Sequence, residues 1–326
     1  MKDGGTARKK KKFEVRIFKS ANSYKKEVVN IDVTGKEIIN CRLFANNHNM
    51  LQAVGFYSSV RDNGKANKEL KGLYVATIDL KTNTVLTTKF NEFDYATKVK
   101  LLGERRANKG KDLKPLYTIH SIIERADGGL VVMSEFSTLY IGKKQGIGPL
   151  GFQPMTYTRN EIIVNAMSAD GTLEWSGVVP KEQVVTVTGL SLNFGAFAGG
   201  GAGGGSFSVG VSTSISLGVL GKGPEFISAI PIFHKEKLYV LFNDHVKNVG
   251  ITNIEDIRTM SNPNKAVPTL FVFDQKGNMV RKDLEVAAKE ELSIRTAVFY
   301  RKNSNEFIIY SSRRSVDKIG RMFIND

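Results

Sequence analysis

The sequence predicts an all-β fold: a β-propeller of four to five four-stranded antiparallel blades in a complete or incomplete ring, with a Gly-rich β-hairpin inserted between two blades. Three observations carry this expectation. Alternation of apolar and polar residues with period two, rich in β-branched and aromatic types, dominates the chain. One unit recurs, in which a strand ends in Asp or Ser, a short turn follows, and a second strand leaves it. Further strands precede each such unit, giving repeats of about 40 to 60 residues, the size of a propeller blade.

In chain order, the first strand is FEVRIFK (13–19), followed by the hairpin VVNIDVTGKEIINCRLF (28–44). MLQAVGFYSSV (50–60) precedes the hairpin LYVATIDLKTNTVLTTKF (73–90), and YTIHSIIERADGGLVVMSEF (117–136) precedes IIVNAMSADGTLEWSGVV (162–179). FISAIPIFHKEKLYVLFND (226–244) precedes TLFVFDQKGNMVRKDLEV (269–286), and IRTAVFYRKNSNEFIIYSS (294–312) leads to a last short strand, GRMFI (320–324). The turns of the four hairpins are placed at Gly35, Asn83, Asp170 with Gly171, and Gly277, because Gly adopts positive φ freely and Asn tolerates it.

Insertions at 94–115, 138–158, 183–224 and 247–268 explain the irregular spacing, since loop entropy grows slowly with length. The first of them predicts a short helix stopped by Pro115. Residues 1–12 read as a disordered basic tail or loop, with Lys2, Arg8, Lys9, Lys10, Lys11 and Lys12 against Asp3, and 13–326 read as one propeller-like domain.

A chain of 326 residues with 41% hydrophobic content can bury a sizeable core. Its 47 Lys and Arg against 32 Asp and Glu give a formal charge of +15. Much of that excess sits in presumed loops, which reads as solvated charge rather than a binding stripe. The single Cys41 excludes an internal disulfide and falls at a strand position expected to be buried. No apolar segment follows the basic N-terminus, so it is not a signal peptide as written. No transmembrane helix is expected, because the longest uncharged run is broken throughout by Gly and Ser.

Several short motifs carry a resemblance as a set. They are Asp127-Gly128-Gly129, Asn160-Glu161-Ile162-Ile163-Val164, Asp170-Gly171-Thr172-Leu173-Glu174-Trp175, Val179-Pro180-Lys181-Glu182-Gln183 and Phe242-Asn243-Asp244. From about residue 13 onward the chain resembles a family of uncharacterised extracytoplasmic repeat proteins of Bacteroidota. The resemblance implies a β-propeller-like fold and export to the periplasm, outer membrane or cell surface, with no assigned activity. Members begin with an export signal and further repeats, so Met1 is expected to fall inside an inter-strand loop of a longer protein. Were Met1 the true start, the compartment would be the cytoplasm.

No residue set predicts a catalytic, cofactor or metal site. His48, His120, His234 and His245 show no ligand spacing, and no calcium loop appears. SADGTLEW approaches the Asp-box of sialidases through Ser168, Asp170 and Trp175, but Gly171 comes one position early, and Asp-Gly is explained by the turn alone. Asp32, Glu135, Asp170 and Asp244 at strand ends are the acids that would line a channel if the protein were a propeller hydrolase. Arg313, Arg314, Lys318 and Arg321 with Phe323 mix basic and aromatic residues without forming a nucleic-acid module, so no specific nucleic-acid partner is expected.

The tract GAFAGGGAGGGSFSVGVSTSISLGV (195–219) satisfies G-x-G-x-x-G through Gly199, Gly201 and Gly204, yet no βαβ context surrounds it. A phosphate loop fails as well, because Lys222 precedes Gly223 rather than Ser or Thr. Its flanks alternate: Leu190, Leu192 and Phe194 on one side, and Phe207, Val209, Val211, Ile215 and Leu217 on the other. This pattern predicts a hairpin that packs on a blade, meets a partner, or contacts a membrane over 183–221, membrane contact being the less favoured. The sequence therefore reads as a non-enzymatic extracytoplasmic binding or scaffold protein for a protein or glycan partner, without a cofactor. A channel-carboxylate hydrolase and a membrane-associating protein are the alternatives.

Overall fold

The computed structural model describes residues 13–46, 48–61, 65–147, 150–200, 207–220 and 223–325. The tail expected over 1–12 lies outside the described residues, as do Gly201, Gly204 and Lys222. The described chain is all-β, with three short α-helices and several 3-10 turns. It divides into two compact units. One takes in the chain up to Ser134 together with Ile163–Val178, the other Glu135–Ile162 and the chain from Val179 onward.

In the first unit, β1 (Phe13–Phe18) pairs antiparallel with β2 (Lys26–Ile31). Next come β3 (Lys36–Ala45), β4 (Met50–Ser59), β5 (Gly72–Asp79) and β6 (Thr84–Glu92), an antiparallel meander in that order. Val15, Val29 and Ile31 pack with Ala53, Tyr57, Tyr74, Ala76 and Ile78 in one core. The central strands β4 and β5 are buried nearly throughout, as strands covered on both faces must be. Gly55 is required on β4, because a Cβ there would collide with the Asn40 carbonyl at the irregularity between Ile38 and Asn40.

Two expectations are corrected here. Residues 28–44 are not a hairpin, because the ladder of β2 is taken by β1 and that of β3 by β4, so the turn at Gly35 joins two different sheets. Cys41 is exposed rather than buried, since β3 is the outermost strand of its meander and Cys41, Arg42 and Leu43 all face solvent.

The expected helix is present as two pieces, α1 (Tyr95–Leu102) and α2 (Glu104–Asn108). Asp94 caps α1 by accepting from Thr97 N at 2.6 Å. Gly103, at φ +77°, separates the two. Pro115 is not the stop: the left-handed Gly110 closes α2 first, its N–H donating to Ala107 O. Lys98, on α1, lies 3.0 Å from both Glu92 and Asp112 and ties the insertion down.

The largest sheet contains β7 (Tyr117–Glu124), β8 (Leu130–Ile141), β9 (Gln145–Ile147), β10 (Leu150–Met167), β11 (Leu173–Gly200) and β12 (Phe207–Leu220). Its order is β12-β11-β10-β8-β7, with β9 on β10. Residues 138–158 are therefore mostly strand rather than inserted loop, because the alternating pattern of β8 and β10 simply continues.

In the second unit, β13 (Ile230–His234), β14 (Lys237–His245), β15 (Ala266–Phe273) and β16 (Met279–Asp283) form another four-stranded antiparallel meander. After α3 (Glu285–Lys289) come β17 (Ile294–Arg301), β18 (Glu306–Arg313) and β19 (Val316–Phe323), a three-stranded sheet. Ile230, Ile232, Tyr239 and Leu241 share a core with Ile294, Phe307, Ile309 and Ile324. The 247–268 segment is irregular but not loose: Met260 is buried and bridges in parallel to Gln183 on β11.

Candidate functional site

The second unit contains an anchored root and a ribbon that grows from it, both on β11. Strand alternation puts Lys181 and Gln183 on one face of β11. Lys181 Nζ lies 3.0 Å from Glu135 Oε1 of β8 and donates to Arg159 O at 2.6 Å and to Gln183 Oε1 at 3.1 Å. Both ionic side chains are out of solvent, Lys181 at 0% and Glu135 at 3% exposure. Ser228 Oγ donates to Glu135 Oε2 at 2.8 Å. Burial pushes the Lys181 amine down, and the Glu135 carboxylate opposes that push.

Gln183 extends the network. Its Oε1 also accepts from Ser228 N at 2.7 Å, and its Nε2 donates to Asn243 O at 2.6 Å. Asn243 in turn acts like a backbone unit. Its Nδ2 donates to Ile294 O at 2.6 Å and to Phe226 O at 2.8 Å, while its Oδ1 accepts from Ile294 N at 2.9 Å. The two motifs Val179–Gln183 and Phe242–Asp244, remote in sequence, thus meet through Gln183 and Asn243.

Next to Asn243, the carboxylate of Asp244 is 3.0 Å from Arg281 Nη1, with 1% and 2% exposure respectively. Asn248 Nδ2 donates to Asp244 Oδ1 at 2.8 Å. Burial raises the Asp244 pKa against the opposing pull of Asn248 and Arg281. Lys181 sits over the ring of Phe242 at 6.0 Å, Phe242 stacks on Phe271 at 5.8 Å, and Arg281 lies 5.3 Å from Phe271. Two aromatic rings are therefore sandwiched between two buried cations, each of which has its own carboxylate.

The four acids considered for channel chemistry separate into two kinds. Glu135 and Asp244 are buried and each faces a fixed cation. Asp32 and Asp170, in the first unit, are exposed turn acids. Asp170 Oδ1 accepts from Ser168 Oγ at 2.6 Å and Thr172 N at 3.1 Å, which holds its pKa low. Asp32 Oδ1 accepts likewise from Thr34 Oγ1 and Thr34 N. The turn residues Gly35, Asn83, Gly171 and Gly277 all have positive φ. Asn91 clasps the Asp170 turn, donating to Gly171 O and accepting from Leu173 N.

Above its root, β11 pairs with β12, so the two flanks of the Gly tract pair with each other. Leu192 stands opposite Ile215, Phe194 opposite Thr213, Ala196 opposite Val211 and Ala198 opposite Val209. The alternate pairs are Ser191 with Ser216, Asn193 with Ser214, Gly195 with Ser212 and Gly199 with Ser208. Paired residues share a face, so this register collects most apolar positions, with Thr213 among them, on one side and Ser, Asn and Gly on the other, Phe197 opposite Gly210 and Val219 opposite Gly189 excepted. Leu190 stands opposite Gly218, Phe207 opposite Gly200, and Leu217 is the extra residue where the register shifts.

Elsewhere, Arg321 and Lys318 of the basic C-terminal segment are engaged by Glu306 and Glu290. Among the described residues no group of three or more His, Cys, Asp or Glu is placed to hold a metal ion. Among the same residues no helix is long and apolar enough to cross a membrane. Lys181, Gln183 and Asn243 all stand in the sequence motifs, but no spacing in the sequence brings them together. The available signal was a Lys and a Gln two apart between valine-rich runs, a charge that a strand can hold there only if it is paired. The sequence matches no protein-family model and no curated protein sequence.

Proposed function

We propose that this chain is a non-enzymatic binding or scaffold protein of the periplasm, outer membrane or cell surface, built from β-propeller blades and directed at a protein or glycan partner. The observation that carries the reading is the run of consecutive antiparallel meanders, β3-β4-β5-β6 and β13-β14-β15-β16, each joined strand to next strand as blades are. β7, β8, β10 and β11 repeat that order before β9 and β12 extend the sheet.

The disposition of acids supports binding over hydrolysis. A glycosidase-type pair needs two carboxyls facing one substrate across about 5 to 9.5 Å. Here Glu135 and Asp244 are each engaged by a buried cation, and Asp32 and Asp170 build turns. The compartment rests on the family resemblance of the motifs.

The test is to present the purified full chain to an array of bacterial surface polysaccharides and to detergent-extracted envelope proteins. Saturable binding with unaltered ligand is the expected result. Release of cleaved product, abolished by Glu135→Gln or Asp244→Asn in variants that still fold, would overturn the non-enzymatic reading. Electron microscopy of the same sample should show a ring of radial blades, and an open stack of sheets would overturn the propeller.

A further inference from the structure

We infer that the β11–β12 ribbon is a bilayer-spanning hairpin, which enters a membrane by closing edge to edge with the ribbons of other copies of this chain. Four observations lead there independently of the binding reading above.

The first is charge. No Asp, Glu, Lys, Arg or His occurs from residue 184 to 221, in a chain where 24% of residues are charged. A ribbon built to stay in water would carry Lys or Glu on its edges, the usual guard against strand addition.

The second is the pairing register. It places Leu192, Ala196, Ala198, Val209, Val211 and Ile215 on one face and a Ser, Asn and Gly row, broken by Phe197, on the other. That is the lipid-side and lumen-side division of a membrane β-barrel strand. A soluble hairpin lying on a core would need only the first face. A serine-glycine row is small and polar enough to line water.

The third is length. Thr156 Oγ1 and Thr186 Oγ1 are 2.9 Å apart across β10 and β11, and stepping back along β10 to its start at Leu150 reaches the level of Leu192. Beyond that level the ribbon is two-stranded, with β12 last in the sheet order. From Leu190 to Gly200 an extended strand covers about 33 Å. Tilted by about 35 to 45°, it spans about 23 to 27 Å, the height of the apolar band of a membrane β-barrel. One ribbon alone could not remain there, because its edge N–H and C=O groups would be unpaired in lipid. Closure among several copies satisfies them.

The fourth is the collar where the ribbon leaves the sheet. Gly142 N donates to Pro154 O, and a Cβ at Gly189 would lie 3.4 Å from Gln153 O, so the end of β8 and the base of the ribbon stand at one level. There Tyr140 is 68% exposed, Ile141 and Leu220 are 52% exposed, and Val219 is 51% exposed. Lys143 and Lys144 are exposed beside them. An aromatic, apolar and basic collar at the base of a charge-free ribbon suits the headgroup layer of an anionic membrane.

The test uses the full chain and vesicles of phosphatidylcholine and phosphatidylglycerol loaded with self-quenched carboxyfluorescein. Dye release and a detergent-resistant oligomer in the vesicle fraction are expected. Val211→Arg, on the apolar row, should reduce release at least about tenfold, whereas Ser212→Arg, on the next residue and the opposite row, should change it less than about threefold. Both positions lie on β12, and an unchanged melting temperature checks that each variant folds. Absence of release overturns the inference. So does equal loss in both variants, and so does ribbon-dependent oligomerisation in solution without release, which would make the ribbon a contact between soluble copies.

Discussion

Lys181 Nζ of β11 lies 3.0 Å from Glu135 Oε1 of β8, and neither side chain reaches solvent. A buried ion pair of this kind contributes little net stability, but removing one partner strands the other charge. Lys181→Met and Glu135→Leu should each destabilise the protein by about 3 to 5 kcal/mol. The double replacement Lys181→Met with Glu135→Leu should recover most of that loss, because both desolvation penalties disappear together. Urea unfolding of the four proteins forms a double-mutant cycle. Additive single effects would show that the two groups do not depend on each other.

Asn243 holds Ile294 by both its N–H and its C=O and holds Phe226 by its carbonyl. Asn243→Ala leaves these buried backbone groups without the side chain, at about 1 to 3 kcal/mol for each unsatisfied group. Asn243→Asp should not rescue, since the carboxylate can accept from Ile294 N but donates nothing to the two carbonyls. Hydrogen exchange supplies the specific readout: the Ile294 amide should lose protection in the Ala variant more than amides of β4 and β5. Uniform loss of protection would mean that Asn243 acts only through global stability.

The sequence made the strands legible because a half-buried strand writes its face into every second residue. The hairpins turning at Asn83, Gly171 and Gly277 follow from that pattern and from turn chemistry, both of which are local. The exception at Gly35 is instructive. The turn forms as expected, with Asp32 accepting from Thr34 N, but whether the flanking strands pair depends on which strands lie beside them in space, and those are β1 and β4. Cys41 failed for a related reason, since alternation cannot distinguish a strand inside a sheet from the outermost one. In the ribbon, alternation of Leu190, Leu192 and Phe194 was visible, yet the separation of two faces depended on pairing register, and the shift at Leu217 belongs to register alone. Meeting of Gln183 and Asn243 was not legible at all, because no periodicity encodes which distant strand supplies a partner.

Gly35 and Gly171 both have positive φ, at +70° and +84°, but differ in their surroundings. A Cβ on Gly35 would meet nothing within 4 Å, whereas one on Gly171 would lie 3.2 Å from Val75 Cβ. Asn tolerates left-handed backbone, so Gly35→Asn should cost less than about 1 kcal/mol. Gly171→Asn should cost about 1 to 3 kcal/mol, because the added atoms press on a packed neighbour. Thermal melting of the two variants compares them directly. Equal losses would show that backbone conformation alone sets the cost and that contact with Val75 is slack.

Five hairpin and connecting turns use the same device, an Asp whose carboxylate accepts the backbone N–H two residues on: Asp32 from Thr34, Asp79 from Lys81, Asp127 from Gly129, Asp170 from Thr172 and Asp274 from Lys276. Hydrogen bonds to the charged form lower all five pKa values, led by Thr34 for Asp32, Lys81 for Asp79, Arg125 for Asp127, Ser168 for Asp170 and Asn278 for Asp274. A folded pKa below the unfolded value means that the unfolded chain binds more protons, so stability rises with pH through that window. The contribution is fully present above the unfolded value of about 3.9 and is lost as pH falls through the folded values. Melting temperature should therefore hold nearly level from pH 7 to about 5 on account of these groups and fall progressively below about 4. Asp170→Asn keeps an acceptor for Thr172 N but cannot titrate, so it should flatten the acid fall while lowering stability at neutral pH. An acid fall just as steep in Asp170→Asn as in the parent would show that Asp170 does not contribute to the acid sensitivity.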